Sequence, residues 1–142
     1  MSITEQQRDI LHDSPFLRAC RGESVPYTPI WLMRQAGRYM KEYRDVRANH
    51  GFLEVCKSPD LATEVTVYAA ERLGVDAAII FADILLILEP MGIELEFSAG
   101  DGPVIHNPVR IGADVDRLIE VEDLGAVDYV FQAISQTRRA LR

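Results

Sequence analysis

Five basic residues, Arg34, Arg38, Lys41, Arg44 and Arg47, fall within fourteen positions that hold only two acids, Glu42 and Asp45. That stretch carries +3. The whole chain of 142 residues carries −7, so the remainder carries −10. A guanidinium is a planar fork that grips a carboxylate or phosphate with two parallel hydrogen bonds. Arg34 and Arg38 are four residues apart and share a face if a helix begins this early. Gly37 between them lets backbone come close to a ligand, and Gln35 adds a neutral donor and acceptor. Two readings stand side by side. One is a pocket for a ligand with several carboxylates or phosphates. The other is a solvated helix face laced by Arg38–Glu42 and Lys41–Asp45 pairs.

Asp83 is the second candidate. It is the only polar residue between Ala77 and Leu88. A carboxylate in apolar surroundings needs donors around it. Asp83 therefore either caps a short helix over Leu85 to Leu88, or accepts hydrogen bonds from a ligand and balances a cation formed in a reaction. Both candidates stand just past an apolar run that reads as a strand, which is where α/β proteins build their sites. A cationic and an anionic strand end are thus expected to face one cavity. Other residues point to less. His12, His50 and His106 have no metal-ligand spacing. Gly100-Asp101-Gly102 reads as a hairpin turn, and Ser98 and Ser135 have no evident base. Trp31 reads as core.

The elements that must hold these groups follow from patterning. Ser14-Pro15 reads as a helix start and Gly22 as its stop. Ile30 to Met33 reads as a buried strand ending at Arg34. Tyr39 to Ala48 has helical spacing, with Tyr39, Tyr43 and Val46 on one face. Ser58-Pro59-Asp60 opens a helix that buries Leu61, Val65, Tyr68 and Ala69 and closes at Gly74. Ala77 to Phe81 does not alternate, as expected for a strand covered on both faces. Ile93 to Phe97 does alternate. With a turn over Ser98 to Gly102 and a return through Val104-Ile105, it predicts a hairpin with one wet face. A last helix is expected from about Ala126 to Leu141, striped by Val127, Val130, Phe131, Ile134 and Leu141. The order of elements is α/β.

Composition excludes several classes. Hydrophobic residues make up 48% of the chain and charged residues 26%, as in folded soluble proteins. The longest apolar run is too short for a membrane span. The first residues show no secretory h-region, and Cys20 and Cys56 form no C-x-x-C pair, so a reducing, cytoplasmic setting is expected. The acidic balance argues against a nucleic-acid partner. Residues 1–13 read as a polar N-terminal arm, and residues 14–142 as the folded unit.

The residues themselves carry a resemblance. Pro29-Ile-Trp-Leu-Met-Arg-Gln-Ala-Gly-Arg-Tyr39 resembles the N-terminal signature of the uroporphyrinogen decarboxylase family. Ala78-Ile-Ile-Phe-Ala-Asp-Ile-Leu85 resembles its second strand and aspartate, and Gly92 to Pro103 its hairpin. The resemblance implies the N-terminal portion of a (β/α)₈ barrel, with a β-hairpin inserted after the second strand. It implies cofactor-independent decarboxylation of the four acetate arms of uroporphyrinogen III to give coproporphyrinogen III. It also implies substrate contacts from Arg34, Gln35, Ala36, Gly37, Arg38, Arg47 and Phe52, with Asp83 as the catalytic acceptor for pyrrole N–H groups. No metal or cofactor is implied, and a homodimer is expected for a full-length protein. A complete barrel needs roughly 200 residues or more, so the later βα units are expected to lie outside this sequence, leaving the 142-residue chain inactive alone. The alternatives are a truncated, non-catalytic anion-binding module and a corrinoid-type methyltransferase relative on the same barrel.

Overall fold

The computed structural model describes residues 11–98 and 102–141. Its architecture is mixed α/β: six helices of four residues or more, two short 3₁₀ segments and one two-stranded sheet among the described residues. Residues 1–10, most of the expected polar arm, lie outside them, as does the tip of the hairpin turn at 99–101.

Helix starts are set by the residues that predict them. Helix α1 (Pro15–Cys20) takes Pro15 at its first position, and Ser14 Oγ accepts from Leu17 N–H at 3.4 Å. Helix α2 runs over Lys41–Asn49. Helix α4 (Pro59–Leu73) begins with Ser58 Oγ accepting from Leu61 N–H at 3.4 Å and ends at Gly74, whose φ of 62° is the left-handed stop that glycine tolerates. Between them lies α3 (Phe52–Lys57), which the sequence pattern does not announce. Six residues are too few to show a period. It is capped from downstream, where Glu54 Oε2 accepts from Gly51 N–H at 3.1 Å. Later come α5 (Gly112–Val115) and α6 (Asp128–Ala140).

The core gathers Met40, Tyr43, Val55, Val65 and Ala69, with Ala36, Val46 and Phe81 packed against it. Helix α4 buries Ala62, Val65, Thr66, Ala69 and Ala70, while the expected Leu61 and Tyr68 are half-buried. The small residues allow α6 to pack closely. Thr63 Oγ1 lies 3.1 Å from Gln136 Oε1, and Gln136 Nε2 donates to Asp60 Oδ1 at 3.0 Å. The buried side of α6 is accordingly Ala133 and Thr137. This corrects the expected stripe: Phe131 and Ile134 are exposed, because α4 offers α6 a small and polar face rather than an apolar groove.

The hairpin forms as expected. Strands β1 (Leu95–Ser98) and β2 (Gly102–Ile105) pair antiparallel, with Leu95 opposite Ile105 and Ser98 opposite Gly102. The two apolar runs expected as buried parallel strands do not form a ladder. Ile30, Trp31 and Leu32 lie outside regular structure, Met33 is in a turn, all four are exposed, and Trp31 at 47% exposure is not core. Ala77 to Phe81 is irregular, with bends at both ends, and mostly half-buried, with Ile79 exposed. The physical reason lies in their partners. The two runs meet through one backbone bond, Asp76 N–H to Ile30 C=O at 2.8 Å, beside which the Asp76 carboxylate accepts from Ile30 N–H at 2.8 Å. A side chain thereby occupies a position that a strand neighbour would need.

The Tyr27 hydroxyl donates to the other Asp76 oxygen at 2.7 Å. That bond first, and the Ile30 N–H second, hold the Asp76 carboxyl below its usual range. A lowered folded-state value stabilises the fold above the unfolded carboxyl's value, and this contribution disappears as pH falls through the folded value. Asp76→Ala is therefore expected to lower the urea midpoint at neutral pH, and the gap to the parent should close as pH falls through the lowered carboxyl's range. A gap that persists unchanged in acid would mean that charge at Asp76 contributes nothing.

Candidate active site

The basic segment begins as a turn and ends on a helix, with Lys41, Arg44 and Arg47 on α2. Arg34 to Met40 precedes α2, and Arg34 has a φ of 57°, the one positive φ at a non-glycine residue among those described. That left-handed backbone costs an L-residue with a Cβ roughly 1–2 kcal/mol. The turn is closed from inside. Tyr39 Oη donates to the Gln35 carbonyl, and Met40 N–H donates to Gly37 C=O at 2.9 Å. A Cβ at Gly37 would stand 3.0 Å from the Tyr39 ring, so absence of a side chain there makes room for Tyr39. Ala36 faces the core.

The side chains on this turn divide sharply. Gln35 is buried, only 2% exposed. Its Nε2 donates to Ala77 C=O at 2.6 Å, and its Oε1 accepts from Ile79 N–H at 3.0 Å. Arg34 and Arg38 on either side are exposed, and no ion pair holds either guanidinium among the described residues. The Arg38–Glu42 pair of the solvated-face reading is not formed, whereas Lys41 Nζ and Asp45 Oδ2 meet at 2.5 Å. The +3 segment thus offers two uncommitted guanidinium groups flanking one committed amide.

Asp83 is half-buried and caps the 3₁₀ segment Ile84–Leu88, its Oδ1 accepting from Leu85 N–H at 2.8 Å. Its other oxygen has no protein donor among the described residues. The capping reading and the ligand-acceptor reading are therefore compatible, because a carboxylate has capacity for both.

Arg47 and Phe52 belong to the same neighbourhood as Asp83. The Arg47 guanidinium stands 5.8 Å over the Phe52 ring and donates to His50 C=O. Phe52 meets Phe81 edge-on at 5.8 Å, and Phe81 lies two residues before Asp83. Tyr43 packs on Phe81 at 5.5 Å, and Phe97 of the hairpin on Phe52 at 4.5 Å. Cys56 of α3 reports the same proximity. Burial first, and then the Asp83 carboxylate, push its thiol up to about 12, while Arg47 pulls the other way. Such a thiol is not a nucleophile at neutral pH. Tyr43, Phe81 and Phe97, which patterning marked only as parts of elements, belong to this neighbourhood together with Thr66, and patterning assigned none of the four a site role. Their apolar positions look like any core residue until the chain is folded.

The two halves of the expected site are joined by Gln35. One hollow of about 550 Å³ runs beside the hairpin, along Glu89, Ile93, Glu94 and His106. Another of about 100 Å³ lies between Ala36, Tyr43, Val65 and Tyr68. Neither is lined by Arg34, Arg38 or Asp83. No group of three His, Cys, Asp or Glu among the described residues is placed to hold a metal ion, and no described helix is long and apolar enough to cross a membrane.

Comparison with known proteins decides the ancestry of this arrangement. The family model described as uroporphyrinogen decarboxylase matches residues 11–142. The chain belongs to the uroporphyrinogen decarboxylase family. Among its curated relatives, the uroporphyrinogen decarboxylase of Carboxydothermus hydrogenoformans is 56% identical over 126 residues, which cover 89% of this chain and 36% of that protein. Those of Sorangium cellulosum and Solibacter usitatus are each 55% identical, over 92% and 90% of this chain and 37% of their own lengths. The chain thus spans little more than a third of the length of these relatives. Neither the anion-binding module nor the methyltransferase alternative is favoured by them.

Within this family member, the strained backbone at Arg34 is a place where stability and a candidate ligand contact oppose each other. Arg34→Gly relieves about 1–2 kcal/mol of left-handed strain and adds roughly 0.5–1 kcal/mol of unfolded-chain entropy. A small net rise in the urea midpoint is therefore expected. A clear fall would show that the Arg34 side chain itself stabilises the fold.

Proposed function

We propose that this chain forms the N-terminal part of a (β/α)₈ barrel that decarboxylates uroporphyrinogen, with residues 14–142 as the barrel portion and the β1–β2 hairpin as an insertion. The observation that carries the proposal is the pair of hydrogen bonds from Gln35 to Ala77 and Ile79. They hold the Arg34–Arg38 turn against the segment that leads into Asp83. An octacarboxylate rich in pyrrole N–H groups needs both kinds of partner side by side: forks for its arms and an acceptor for its ring nitrogens.

In this reading Arg34 and Arg38 bind carboxylate arms, with Arg47 as a further clamp beside Phe52, which packs near the macrocycle. Gln35, Ala36 and Gly37 shape the wall between the two guanidinium groups. At each arm the CH₂–COO⁻ bond breaks, CO₂ leaves and one proton replaces it to give CH₃. The electron pair of the breaking bond needs a sink, and a pyrrole ring protonated beforehand is one. Asp83, capped on one oxygen and open on the other, stabilises that cation more than the neutral ring, which is the condition for lowering a barrier. The expectations of a cytoplasmic setting, a homodimer and independence of any cofactor belong to the same proposal.

The test is a chimera in which residues 11–142 replace the matching segment of the Carboxydothermus hydrogenoformans relative, assayed for coproporphyrinogen formation. The chimera is expected to turn over uroporphyrinogen. Asp83→Asn in it should lower kcat by about 10²–10³ with little change in KM. Arg38→Ala should mainly raise KM, by about tenfold or more, as for loss of a charge-assisted hydrogen bond. A well-folded chimera that forms no coproporphyrinogen overturns the assignment. Asp83→Asn losses that appear equally in binding would remove its transition-state role.

A further inference from the structure

The residues that hold Asp83 in place are not the ones that touch it. Ala77 to Phe81 has no ladder partner among the described residues, so its polar backbone groups must be satisfied another way. Three of them are met by two buried side chains from different elements. From the basic turn, the Gln35 carboxamide takes Ala77 C=O at 2.6 Å and Ile79 N–H at 3.0 Å. From α4, Thr66 Oγ1 accepts from Phe81 N–H at 2.8 Å while donating to Ala62 C=O at 2.7 Å. Both residues are almost wholly buried, at 2% and 1% exposure. The two side chains together hold three backbone groups of this segment, at residues 77, 79 and 81, and the last of these lies two residues before Asp83.

We infer that Gln35 and Thr66 are positioning residues, which fix the Asp83 carboxylate relative to Arg34 and Arg38 by clamping the backbone of Ala77–Phe81. The inference rests on the decarboxylase reading of the same site. It assigns Gln35 a different task from that of its neighbours. Both polar atoms of its amide are spent on backbone, so the guanidinium groups face the ligand while the amide sets their distance from the second segment. Thr66 does the same from the core side, and its hydroxyl is oriented because the Ala62 carbonyl takes its proton. Neither residue can be replaced by a side chain that is merely apolar and of equal size, because a buried N–H or C=O would then be left unpaired.

The test uses the active chimera and the pair Thr66→Val and Thr66→Ser. Valine keeps the volume and removes the acceptor; serine keeps the hydroxyl. Thr66→Val is expected to lower kcat by about tenfold or more while KM for uroporphyrinogen stays within about twofold, since the arginines are untouched. Thr66→Ser should restore kcat. Gln35→Met, which keeps the length and loses the amide, should lower kcat in the same way, and it carries the expectation alone if Thr66→Val does not fold. Amide hydrogen exchange should show Phe81 losing protection in Thr66→Val and Ile79 in Gln35→Met. Unchanged kcat in folded Thr66→Val or Gln35→Met overturns the inference while leaving the decarboxylase reading intact. So does a kcat that falls equally in Thr66→Ser, because the hydroxyl would then not be what matters. An inactive parent chimera overturns the decarboxylase reading and this inference with it.

Discussion

A carboxamide removed from water must have both its donor and its acceptor met, and Gln35 meets both on a single stretch of backbone. The geometry is that of a strand neighbour compressed into one side chain: an N–H for Ala77 and a C=O for Ile79. That side chain couples two segments 42 to 44 residues apart in sequence, and much of the candidate site depends on it. Without it the basic turn would have no fixed relation to the run that ends at Asp83.

Around this joint the chain separates polar work from apolar packing. Tyr43, Phe52, Phe81 and Phe97 form a continuous set of ring contacts that ties α2, α3, the Ala77–Phe81 run and the hairpin together. Arg47 sits over one of these rings with its charge partly spent on the His50 carbonyl. Beside them Asp83 remains half-buried, with one oxygen capping the 3₁₀ segment. A carboxylate in that setting is oriented by the backbone and keeps acceptor capacity. Cys56 marks how dry the surroundings are, since burial is the main force raising its thiol.

The apolar surface is uneven in the same way. Ile30, Trp31, Leu32 and Met33 are exposed although their sequence reads as strand core, and Ile84 directly after Asp83 is 91% exposed. These side chains flank the two polar candidates rather than the helical core. Burial in this chain is concentrated where α2, α3, α4 and α6 meet. The segments proposed as barrel strands lie at the margin of that helical core.

Local chemistry was legible from sequence alone. Ser14 and Ser58 cap helices because a hydroxyl before a proline satisfies the first free N–H groups, and Gly74 stops α4 because it alone enters the left-handed region without cost. The alternation around Ile93–Phe97 gave the hairpin, and the charge cluster with the lone carboxylate marked the candidate site. What the sequence could not decide was which partner each group would find. Arg38 and Glu42 have ideal spacing for a pair but do not form one, because the helix begins only at Lys41. Phe131 and Ile134 have core character but face outward, because Thr63 and Asp60 of α4 meet α6 through polar bonds. Gln35 read as a donor and acceptor for a ligand, and Thr66 was not singled out. Only the tertiary fold brings them to the backbone of Ala77–Phe81, because a hydrogen bond between residues distant in sequence is set by chain geometry, whereas a cap is set by its immediate neighbours.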